Sequence, residues 1–148
     1  MANKNDRQVR DVMTPDPVTV SEGDTVREAA RIMAREDTGV VPVVEGKKVI
    51  GMITDRDIVV RLVAEGKDPA SAHVNEAMTK SVRAVKENDT ITDVLNVMSG
   101  SQVRRVPVVN DRNEIVGIVS MKDLADTGNQ DGKVGKAVED ISAAPPNN

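Results

Sequence analysis

The chain has 148 residues, a formal net charge of −4, a hydrophobic fraction of 39% and no Phe, Tyr, Trp or Cys. That is enough apolar material for one compact aliphatic core, but it leaves no aromatic platform for stacking bases and no thiol for disulfides, zinc-thiolate sites or cysteine nucleophiles. The mildly acidic balance argues against nucleic acid or an anionic membrane as partner. With no long apolar run and no signal-peptide pattern, the expected location is the cytoplasm.

Residues 1–8 are polar and read as a flexible N-terminus. A Met13-Thr14 turn and a short extended piece, 18–20, lead to a helix in which Thr25 and Glu28 have capping-box spacing. Val26, Ala29, Ala30 and Met33 then fall on one helical face. Two β-branched runs, 40–44 and 49–53, flank the turn Glu45-Gly46-Lys47-Lys48. Pro42 inside the first run predicts an edge or irregular strand, where a missing amide is tolerated. A second helix starts near Thr54, carries Ile58, Val59, Leu62 and Val63, and stops at Gly66. Residues 67–73 form a linker ending in the sole histidine, His73, which reads as a surface or packing residue.

From residue 74 the chain repeats itself. Val74-Asn75-Glu76-Ala77-Met78-Thr79 answers Val9-Arg10-Asp11-Val12-Met13-Thr14, and the register persists through Met33/Met98, Pro42/Pro107, Gly51/Gly117, Thr54/Ser120 and Asp57/Asp123. The second copy has an extended piece at 82–85, a helix from Thr90 with Asp93 in the place of Glu28, strands at 105–109 and 115–119, and a shorter helix from Ser120 to about Gly128. The Met residues at 13, 33, 78 and 98 read as core fillers. A tandem duplication of this size predicts an α/β (α+β) fold of two pseudo-twofold-related β-α-β-β-α repeats, 9–66 and 74–128. The tail, 129–148, is polar and reads as partly disordered, with Val134, Val138 and Ile141 able to form an amphipathic turn or two.

Three features carry a resemblance: Val-x-[Asp/Glu]-x-Met-Thr opening each copy, the Val-Pro-Val-Val strands, and Gly-Met-Ile-Thr-Asp-Arg-Asp or Gly-Ile-Val-Ser-Met-Lys-Asp closing each copy. From Val9 to Gly128 the chain resembles a tandem pair of cystathionine-β-synthase (CBS) domains, the Bateman module. It is similar to the small stand-alone CBS-pair proteins of bacteria and archaea, including the hypoxic-response type. The resemblance implies two clefts between the copies that take adenosine-containing ligands, and assembly as a homodimer through the apolar outer faces of the helices.

The residues allow such a role independently. A carboxylate early in a helix accepts hydrogen bonds from adjacent ribose hydroxyls, while a Thr or Ser at the helix start donates to phosphate. Thr54 with Asp57 and Ser120 with Asp123 have this spacing, and Arg56 and Lys122 add a cation to each. Adenine would rest on aliphatic walls and main chain around Val40, Val41 and Pro42 in one cleft and Arg105, Val106 and Pro107 in the other. The same Thr/Ser-x-x-Asp spacing is that of a helix cap, needed with or without a ligand, and the two roles are compatible. Arg104-Arg105 reads equally as a phosphate contact, a subunit contact or a solvated pair. Asp55 and Asp57 make no metal site by spacing, because helix positions two apart diverge by about 200°. No nucleophile pair, Walker loop or metal cluster assembles an enzyme.

The expectation is therefore a non-catalytic regulatory module with no required cofactor. Its regulatory ligand is an adenine nucleotide (AMP, ADP or ATP), and its output passes through conformation, dimerisation or an unknown effector protein. The alternative is a stress-associated interaction scaffold with vestigial clefts.

Overall fold

The computed structural model describes residues 7–126, so the tail 129–148 and most of the expected N-terminal segment lie outside the described residues. A 3-10 turn (Val9–Asp11) precedes β1 (Thr14–Pro15), β2 (Val20–Ser21), α1 (Val26–Glu36), β3 (Val40–Glu45) and β4 (Lys48–Thr54). Then come α2 (Asp55–Ile58), a π-helical turn (Val59–Val63) and a second 3-10 turn (Val74–Glu76). The second copy supplies β5 (Val85–Lys86), α3 (Ile91–Ser101), β6 (Arg105–Val109), β7 (Ile115–Ser120) and α4 (Met121–Asp126).

These elements form two compact α+β units, one of Pro17–Val82 and one joining residues 7–16 to residues 83–126. The opening segment of each repeat is thus seated in the unit built from the body of the other. Val74 N donates to Asp24 O at 2.8 Å and Asn75 N to Glu22 O at 3.1 Å. In the other unit, Val9 N donates to Asp89 O at 2.8 Å and Arg10 N to Glu87 O at 2.9 Å. Val74 and Val9, at corresponding places, are wholly buried. Each unit has its own aliphatic cluster, around Ile53 and Leu62 in one and around Ile91, Met98 and Leu124 in the other.

In residues 17–82 the sheet order is β2-β3-β4, with β2 parallel and β4 antiparallel to β3. Thr25 Oγ1 accepts from Glu28 N at 3.2 Å and starts α1. The buried stripe is Val26, Ala29, Ile32 and Met33, with Ala30 exposed and Ile32 in the place expected of it. Pro42 lies in the middle strand, yet its position is locally an edge. Met52, its partner across β4, turns both its N–H and its C=O to Thr79, so Pro42 faces the β2 side, and β2 pairs only with Val43 and Val44. No amide is needed there.

The second helix departs from expectation. After four α-helical residues Ala64 N donates to Val59 O at 2.9 Å, the five-residue step of a π turn, and the wider turn breaks the 3.6-residue phase. Leu62 is buried, but Val59, Val60 and Val63 are 56%, 49% and 58% exposed.

The other unit repeats the plan with sheet order β1-β7-β6-β5. Its α3 has a full capping box: Asp93 N donates to Thr90 Oγ1 at 3.2 Å and Thr90 N to Asp93 Oδ2 at 2.9 Å. The Met-Thr segments cross the sheets at corresponding glycines. A Cβ on Gly51 would stand 2.6 Å from Thr79 O, and one on Gly117 would stand 3.0 Å from Thr14 O, so only glycine admits the crossing chain.

Candidate functional site

In both repeats the inner hairpin delivers its second strand directly into a helix, placing a hydroxyl and a carboxylate together. In the first, Asp57 N donates to Thr54 Oγ1 and Thr54 N to Asp57 Oδ2, each at 3.0 Å. Thr54 and Asp57 are the polar residues buried among those described, at 3% and 8% exposure. A buried carboxylate must be hydrogen-bonded or paired, and Asp57 is both. Thr79 Oγ1 lies 3.3 Å from Oδ1 and 3.4 Å from Oδ2, and Arg61 Nε lies 3.8 Å from Oδ1. Arg61 is itself held by Met78 O, to which its Nη1 donates at 2.9 Å.

The second repeat makes the same reciprocal cap, with Ser120 N donating to Asp123 Oδ2 at 2.9 Å and Asp123 N to Ser120 Oγ at 3.1 Å. Here the carboxylate is half-buried, and its Oδ1 has no partner among the described residues. Arg104, Arg105, Ser120, Met121 and Lys122 line a surface cavity of about 200 Å³.

Register brings Val40 beside Thr54 and Arg105 beside Ser120. The Val41 and Val106 side chains belong to the two cores, at 1% and 0% exposure, so they can offer a ligand only main chain. Pro42 and Pro107 are buried, and Arg56 and Lys122 are exposed. Residues 61 and 79 went unrecognised in the sequence. The i, i+4 spacing of Asp57 and Arg61 was a visible signal, whereas the approach of Thr79 is a tertiary event. His73 is exposed and its N–H donates to Glu76 Oε2 at 2.7 Å. Among the described residues no group of three or more His, Asp or Glu side chains gathers to hold a metal ion, and no helix is long and apolar enough to cross a membrane.

Comparison with known proteins agrees with the fold. The chain is 39% identical over 134 residues to the CBS domain-containing protein YhcV of Bacillus subtilis, covering 90% of this chain and 94% of that one. It is 40% identical over 117 residues to hypoxic response protein 1 of Mycobacterium tuberculosis, covering 78% and 81%. A crystal structure of Hypoxic Response Protein I with two coordinated zinc ions superposes with a TM-score of 0.76 at 38% identity, over 81% of this chain and 98% of that one. The CBS domain pair of MJ0100, in complex with 5'-methylthioadenosine and S-adenosyl-L-methionine, gives a TM-score of 0.74 at 29% identity, over 83% and 96%. The CBS-domain family model matches twice, at residues 9–64 and 74–128, and the chain belongs to that family as a tandem CBS pair, a regulatory module.

Proposed function

We propose that the chain is a sensor of adenosine-containing ligands of the AMP, ADP or ATP class, without catalytic activity of its own. The observation that carries this reading is the hydroxyl–carboxylate pair at the start of the helix after the hairpin, built the same way in both repeats. A carboxylate held there accepts from the two ribose hydroxyls, and the Thr54 or Ser120 hydroxyl, whose oxygen already accepts an amide, keeps its hydrogen to donate to phosphate. Arg56 and Lys122 supply charge, and main chain near Val40–Pro42 and Arg105–Pro107 meets the base. A related CBS pair crystallised with two adenosine-derived ligands supports the assignment.

The signal is differential binding: a ligand shifts a conformational equilibrium only by as much as it prefers one state. Ribose hydroxyls arriving at Asp57 compete with Thr79 Oγ1 and Arg61, and Arg61 holds Met78 O. Met78 and Thr79 lie just before the chain leaves one compact unit for the other at residue 82. Output then passes through a homodimer, for which exposed Val59, Val60 and Val63 offer an apolar face, or through an effector protein.

One observation favours a second reading. The first-repeat carboxylate is already fully engaged within its own unit, as it would be in a scaffold whose clefts are vestigial. Thermal-shift and calorimetric titration with adenosine, AMP, ADP, ATP and S-adenosylmethionine separate the two. At least one ligand should release or absorb heat and raise the melting temperature in a saturable way. No heat and no shift across the series would replace the sensor by the scaffold. A nucleotide-turnover assay showing product formation would overturn both.

A further inference from the structure

The two repeats close their helical sides differently. In the first, the π turn carries Leu62, wholly buried, into one apolar cluster with Ile32 of α1 and with Ala77 and Met78 of the seated opening segment. Next to it, Arg61 clamps that segment through Met78 O at 2.9 Å. In the second repeat, the register Thr54/Ser120 and Asp57/Asp123 puts Thr127 and Gly128 in the places of Arg61 and Leu62, and α4 ends at Asp126. Glycine has no side chain to bury, and threonine has no cation to reach across.

The loss shows in the residues around that place. Val97, Val12 and Met13 are half-buried, although their counterparts Ile32, Ala77 and Met78 are buried at 4%, 0% and 5% exposure. All three pack on the cluster of their own unit without being closed over. The outer side of α3 is also unlike that of α1. Arg27, Arg31 and Arg35 are answered by Thr92, Asn96 and Gly100, and among the described residues nothing lies within 4 Å of where a Cβ on Gly100 would stand. A helix side meant for water ordinarily carries charge, and this one has exchanged three cations for none.

A segment able to cover this seat leaves from its edge. Residues 127–148 follow α4 directly, and within them Val134, Ala137, Val138 and Ile141 fall at i, i+3, i+4 and i+7, the spacing of one helical face. The stretch from Asp126 to Val134 reaches up to about 26 Å when extended, ample for a place that begins one helical turn beyond α4. We propose that the tail segment 134–141 docks on the second-repeat unit, its Val134, Val138 and Ile141 covering Val97, Val12 and Met13 in the place that Leu62 fills in the first repeat. Burial of aliphatic surface on both sides of the contact drives the docking. No bound ligand is needed for it.

The test is amide hydrogen exchange with thermal melts, on the full chain carrying Val138→Asp or Ile141→Asp, against Glu139→Ser off the apolar stripe. Either aspartate should speed exchange in residues 9–13 and 94–101 by about tenfold or more, while exchange in residues 40–54 stays unchanged. Each should also lower the melting temperature by about 4–8 °C. Glu139→Ser should do neither. Val97→Ala combined with Val138→Asp should lower the melting temperature by less than the two separate shifts added together, because both remove one contact. A tail that folds back on its own chain should give the same result from about 1 to 100 µM protein. Unaltered exchange in both aspartate variants, or melting shifts that simply add, would overturn the docking. Protection that disappears on dilution would overturn it in favour of a second copy, and equal loosening of residues 40–54 would overturn it as general destabilisation.

Discussion

Replacing the two cap carboxylates separately should destabilise the protein unequally. Asp57→Ala removes a helix cap, about 1 kcal/mol, and strands a buried amide, Thr54 N, at a position 3% exposed. It also removes the acceptor for Thr79 Oγ1, adding about 1 kcal/mol. The Arg61 contact is long, at 3.8 Å, and its side chain is half-exposed, so it adds less than about 1 kcal/mol. The total is about 2–3 kcal/mol. Asp123→Ala removes a cap from a half-buried site with no further partner among the described residues, about 1 kcal/mol. Without aromatic residues the unfolding is best followed by far-UV circular dichroism. At roughly 4 °C per kcal/mol, Asp57→Ala should melt about 4–8 °C below Asp123→Ala. Equal melting temperatures, or a more stable Asp57 variant, would refute the view that the first carboxylate is bound into its unit while the second stands open.

Gly51→Ala should cost more than about 2 kcal/mol, because its Cβ would meet Thr79 O at 2.6 Å, while Gly23→Ala, with nothing within 4 Å, should be nearly silent in the same melts. Val63→Arg should leave the fold intact, since Val63 is 58% exposed, but shift sedimentation towards the monomer if this face joins two copies; an unchanged sedimentation coefficient removes the face from the interface. Arg56→Ala should weaken AMP more than adenosine because its contribution is electrostatic, and equal losses by calorimetry would assign it a structural role.

Much of this architecture is legible in the sequence because it rests on local chemistry. Thr25, Thr54, Thr90 and Ser120 announce their helices three residues ahead of an acidic residue, whose side chain closes the box at Thr54, Thr90 and Ser120 while at Thr25 only the Glu28 amide is bound, and the hairpins follow from β-branched runs around polar turns. The long-range arrangement is not legible in the same way. Val9 and Val74 open their repeats in sequence, yet each completes the other repeat's unit through backbone bonds to loop carbonyls that no periodicity encodes. Val59 and Val63 look like core residues until the π turn rotates them outward. The engagement of Asp57 by Thr79 and the freedom of Asp123 separate two motifs that read alike, because burial and tertiary partners decide what a capping carboxylate has left to offer.

The central claim, that this CBS pair holds adenosine nucleotides, is tested most directly by equilibrium dialysis read at 260 nm. The chain has no Phe, Tyr or Trp, so excess absorbance on the protein side reports bound nucleotide against almost no protein background. The account predicts an excess for AMP, ADP or ATP that grows with concentration and saturates. Equal absorbance on both sides of the membrane for all three nucleotides, up to about 1 mM, would contradict it.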